Sequence, residues 1–138
     1  MSRVSLAFAV PILSACGVLA GCAAFAWRLV PSVIERPHEN VSAVQVPESV
    51  ATFAPITVTV WTKSDGCTRR GRADVTTGDR AATIRLFDSV LVRSPDDYAC
   101  PDVLRFGRNT FTVQFSRPGT AIVRVIGTDT LERAVVVR

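Results

Sequence analysis

Between Val4 and Trp27 no residue carries a charge; Arg3 stands just before the run and Arg28 just after it. Burying such a stretch as a core helix would take a large surrounding core. Roughly 110 further residues cannot supply that and bury their own apolar surface as well. The run therefore divides the chain into a leader, residues 1–27, and a body that must fold by itself. Two physical readings of the leader stay open. A positive start, an apolar stretch from Val4 to Val18 and small residues beyond it make a secretory signal. An uncleaved transmembrane helix also fits, because a hydrocarbon core needs roughly 20 apolar residues and Arg28 can snorkel beside an interfacial Trp27. Pro11 and the many Ala, Gly, Ser and Cys residues weaken the helix, whereas the apolar run Ala23-Ala24-Phe25-Ala26-Trp27 favours it.

Leu19-Ala20-Gly21-Cys22 closes the apolar stretch. This string resembles the lipobox of bacterial lipoprotein signal peptides: an aliphatic residue, two small residues, then cysteine. The resemblance implies cleavage before Cys22, acylation of its thiol, and lasting attachment to a membrane through several acyl chains. A poorer string of the same kind, Leu13-Ser14-Ala15-Cys16, lies upstream.

Of the four cysteines, Cys16 and Cys22 belong to the leader, and Cys67 and Cys100 are the only pair in the body. An even pair in an exported chain points to a disulfide. Two buried thiols are the alternative. Zinc is disfavoured, because the pair lacks close spacing and His38 is the only histidine. A disulfide implies an oxidising compartment, hence a body facing the periplasm or cell exterior. Residues 23–138 carry fifteen basic and twelve acidic side chains, a mild excess of +3 that does not argue for nucleic acid.

Residues 28–48 read as a tether, since Pro31, Pro37 and Pro47 forbid a long helix. Residues 49–138 read as the globular body. Its apolar residues recur with period two. Ile56, Val58 and Val60 alternate with threonines, Phe111, Val113 and Phe115 with Thr110, Thr112 and Gln114. Further strands are expected over 72–76, 82–92, 120–126 and 131–137, with turns at 63–66, 77–80, 117–119 and 127–129. Short strands at regular spacing mean an all-β sandwich or barrel. The string from Phe111 to Gly127, with its Pro118-Gly119 turn, and the final Ala134-Val135-Val136-Val137 look like the late strands of bacterial immunoglobulin-like domains. The resemblance implies an immunoglobulin-like β-sandwich. It departs from antibody domains, because Trp61 precedes both cysteines instead of lying between them.

No catalytic residues stand out. His38 sits alone among prolines, so no Ser-His-Asp or Cys-His arrangement has a general base. Asp96, Asp97 and Asp102 cluster, but without the spacing of a calcium loop. No metal site or cofactor is expected. A crosslink between Cys67 and Cys100 would bring Arg69, Arg70 and Arg72 beside Asp96, Asp97 and Asp102. That juxtaposition is either a local ion-pair cluster or a candidate binding edge at one end of the sandwich. The expected function is a membrane-tethered, extracytoplasmic binding or structural module, non-enzymatic, with another envelope protein as partner. An accessory subunit of an integral membrane complex, held by an uncleaved helix, is the first alternative. A metal-dependent hydrolase is the second.

Overall fold

The computed structural model describes residues 26–93 and 99–138. Ten strands follow in chain order: β1 (Ala26–Pro31), β2 (Val33–Ile34), β3 (Val44–Gln45), β4 (Ser49–Val50), β5 (Pro55–Ser64), β6 (Thr68–Thr77), β7 (Ala81–Arg93), β8 (Arg105–Gln114), β9 (Gly119–Ile126) and β10 (Thr130–Val137). The chain is all-β over these residues, and its strands form two packed sheets.

Each sheet is built around one long strand whose two edges are filled differently. In the first sheet, β6 runs antiparallel along one edge of β7. The other edge is shared end to end: β9 pairs in parallel along 81–85, and β1 pairs antiparallel along 87–93. β10 and then β4 continue that side. In the second sheet, β8 covers β5 from Pro55 to Ser64, while the opposite edge is shared by β2 and β3.

The inner faces meet as alternation demands. Ile56, Val58 and Val60 from β5, Val113 from β8 and Phe115 just beyond it lie against Ala82, Ile84, Leu86, Ala121, Val123, Val125, Val135 and Val137. All are buried, and each large aliphatic side chain so placed contributes roughly 1.5–3 kcal/mol. Trp61, on the alternate register of β5, faces the other way.

The expected tether is corrected. Residues 28–48 supply strands to both sheets, and Trp27 is already a strand residue, paired with Leu91. Ile34 and Val44 are core residues. The prolines do interrupt the chain, but only at a strand end or between strands: Pro31 ends β1, Pro37 follows β2 and Pro47 separates β3 from β4. There a missing N–H costs no ladder bond.

Between β1 and β2 the chain crosses from the first sheet to the second at Ser32. Its N–H donates to Leu86 O at 2.9 Å, and its carbonyl accepts from the Thr128 N–H at 2.9 Å. Three residues on, the Glu35 N–H donates to Trp61 O in the other sheet. Gly127 lies against this crossing so closely that a Cβ there would overlap the Ser32 carbonyl oxygen. Only glycine lets the β9–β10 turn seal the junction.

The two sheets are also tied along the β10 side. The Arg133 guanidinium donates from Nε to Val44 O at 3.3 Å and from Nη2 to Ser42 Oγ at 3.0 Å. On the far margin, every residue of β6 is exposed or half-buried.

Candidate functional site at the disulfide end

Cys67 and Cys100 form a disulfide with Cα atoms 5.2 Å apart. The crosslink pins the turn between β5 and β6 to the segment entering β8. Asp65 organises that turn: its Oδ1 accepts from the Cys67 N–H at 3.0 Å and from the Thr68 hydroxyl at 2.7 Å. The Leu91 N–H donates to Cys67 O at 3.0 Å, which joins the turn to the end of β7. Ala26 opposes Arg93, so the chain enters the fold at this same end.

Three arginines of the candidate edge lie on β6 but do not share a face. Arg70 pairs in register with Asp88, and Ala73 with Leu86, so Gly71 and Arg72 together oppose Phe87. This bulge shifts the side-chain alternation by one. Arg69 and Arg72 consequently both reach the outer face of the sheet, where each covers an aromatic ring. The Arg69 guanidinium sits 3.9 Å from the Trp27 ring centroid, and that of Arg72 lies 5.3 Å from Phe87. Such contacts contribute about 0.5–1 kcal/mol each at exposed positions. A Cβ on Gly71 would overlap the Phe87 carbonyl oxygen and crowd Leu29, which is why glycine stands in the bulge.

The expected gathering sets these arginines beside Asp96, Asp97 and Asp102. Asp102 lies exposed two residues beyond Cys100, and Asp96 and Asp97 lie outside the described residues. The carboxylate that Arg72 engages is Asp74, at 3.4 Å. Arg70, opposite Asp88 in register, stays exposed, and its charge acts on that carboxyl. Cys22, the candidate acylation site, and Cys16 also lie outside the described residues.

Between the sheets at this end a cleft of about 360 Å³ opens. Its walls are largely apolar, from Val30, Pro31, Val33, Val90 and Leu104, and Asp88 lies within it. An ion pair between Lys63 and Glu35, 3.0 Å apart, stands at the rim. Asp88 is 8 % exposed. Burial raises its carboxyl above the usual 3.8, while a hydrogen bond with the Ser32 side chain and the Arg70 charge pull the other way. Period-two reading had a signal for it: Asp88 continues the inward register of Ala82, Ile84 and Leu86.

A pH prediction follows from that carboxyl. Its folded-state value lies above the unfolded one, so its contribution to stability is full below about pH 3.8 and is lost as pH rises through the folded value. Asp88→Asn, which carries no charge to desolvate, melts higher than the wild type at pH 7, and the gap closes as pH falls toward 4. Thermal melts of both proteins across that range check it; a gap that stays constant or widens on acidification counts against it.

Among the described residues no three His, Cys, Asp or Glu side chains converge as a metal site requires, and no helix is long and apolar enough to cross a membrane. The end of the sandwich offers an apolar cleft, one buried carboxylate and a fringe of guanidinium groups, a combination suited to binding. Comparison with known proteins finds no matching family model, curated relative or solved structure.

Proposed function

We propose that the chain is a membrane-tethered, extracytoplasmic binding or structural module without catalytic activity, exported as a lipoprotein and acylated on Cys22. The body is an immunoglobulin-like sandwich in this proposal, supported by the Pro118-Gly119 turn into β9 and the valine-rich β10. The observation that carries the address is the Cys67–Cys100 disulfide, a bond that persists in oxidising compartments. Ala26 and Trp27 add support. A polar tether usually follows a lipidated cysteine, and the apolar residues here are in part the opening of β1.

The second reading, an accessory subunit of a membrane complex held by an uncleaved helix, keeps one favourable observation. Residues 4–25, ahead of β1, still number about the 20 that a span requires. Intact mass of the chain recovered from membranes separates the two. A chain beginning at an acylated Cys22 is the expected result, and an intact Met1 supports the helix. A chain recovered from the soluble cytoplasm with free thiols at 67 and 100 defeats both.

A further inference from the structure

We infer that the disulfide end of the sandwich lies on the phospholipid surface of the membrane, with Leu104, Val103, Val92 and Leu29 seated in the interfacial layer. This rests on the membrane-anchored reading above and adds an orientation to it. Nine large hydrophobic residues are exposed among those described, and six of them lie at this end: Leu29, Val33, Val92, Val103, Leu104 and Phe106. Leu104 is 59 % exposed and Val92 53 %. Such a concentration marks a surface that something covers.

Chain geometry says what covers it. Ala26 opposes Arg93, so the uncharged leader departs from the end that carries the six residues. Four residue steps separate Cys22 from Ala26, and an extended chain spans at most about 3.5 Å per step, about 14 Å in all. An uncleaved helix would leave a still shorter gap. Whichever anchor holds the chain, this end is within reach of the headgroup layer and the opposite end is not. The remaining chemistry fits that layer. Trp27, capped by the Arg69 guanidinium, is an interfacial residue type, and Arg28, Arg70 and Arg105 expose guanidinium groups that pair with lipid phosphates.

Single-tryptophan variants of the full chain, reconstituted in vesicles of phospholipid with brominated acyl chains, test the orientation. One variant keeps only Trp27, through Trp61→Phe. Others carry Leu104→Trp, Val92→Trp or Val136→Trp with both native tryptophans replaced by phenylalanine. Leu104, Val92 and Val136 are exposed, so the new side chains fit without repacking. Trp61→Phe removes a buried indole N–H that has no acceptor among the described residues. Residues seated in the interface should lose about half or more of their emission to bromine, because that layer is only about 5–10 Å deep. Quenching at 104 and 92, with none at 136, is the expected result. Quenching of Trp27 alone overturns the orientation while leaving the anchor intact. If Trp27 also escapes quenching, the orientation is overturned, and flotation of the chain with the vesicles reports separately on the anchor: a chain that does not float defeats the anchored reading itself. Should 104 and 92 stay unquenched in pure lipid yet change emission when native membrane extract is added, the end is a protein dock, and the inference is overturned.

Discussion

Replacing Cys67 and Cys100 together by serine lowers the melting temperature by roughly 15 °C or more. The crosslink spans 33 residues. In the chain-entropy account a loop of that length restricts the unfolded state by roughly 3–4 kcal/mol, and 1 kcal/mol moves the midpoint of a domain near this size by about 4–8 °C. The bond also holds the Asp65 turn against the entry to β8, so its loss frees the end where β5, β6, β7 and β8 meet. Thermal melts of the double variant, and of the wild type with and without a reducing agent, check the number. The reduced wild type should match the double variant. A melt unchanged by either treatment would mean that the described contacts already hold this end closed.

Phe115→Ala costs about 3–5 kcal/mol, the range for deleting a fully buried aromatic ring. Phe115 is 1 % exposed and, among the described residues, the largest fully buried side chain, packed with core residues of both sheets. Phe53 supplies the internal control. Its N–H donates to the Phe115 carbonyl at 2.8 Å, yet its own side chain is 64 % exposed. Phe53→Ala keeps that backbone bond and leaves no cavity, so its effect should stay within about 0.5 kcal/mol. Urea denaturation of the two variants side by side measures both. Equal losses would mean that the core is not centred where the packing puts it.

The contrast between these two phenylalanines shows how far the residues speak for themselves. Phe115 belongs to an alternating run, Phe111-Thr112-Val113-Gln114-Phe115, and its inward direction is readable from period two. Phe53 has a positive φ of 64° in the turn before β5, a detail no local pattern announces. The same division runs through the strands. β5, β8, β9 and β10 each bury one face, so alternation revealed them. β2, β3 and β4 have two residues each, too few to show a firm period; β2, β3 and all but the first two residues of β1 fall in the stretch read as tether, and β4 opens the stretch read as body. Only Arg72 onward of β6 was read as a strand, because no residue of β6 is fully buried and both its faces carry polar residues.

At the candidate site the cysteine pair was legible from compartment logic, and the nearby arginines from their density. Their sorting was not. One extra residue at Gly71-Arg72 sends Arg69 and Arg72 outward onto aromatic rings and leaves Arg70 facing Asp88. The partners Trp27 and Phe87 come from strands far away in the chain, so no window around residue 70 contains them.

By itself the sequence determined that this protein has an uncharged front, an all-β body and a crosslink between its two body cysteines. Those properties are written in local composition and in a period of two, which each segment carries wherever it ends up. Only the tertiary structure decided that residues 26–50 complete the edges of both sheets, that the leader leaves from the crosslinked end, and that exposed apolar residues concentrate there. Such facts depend on which edges of β5 and β7 remain open after their long partners have paired, and an open edge is a property of the assembled sheets.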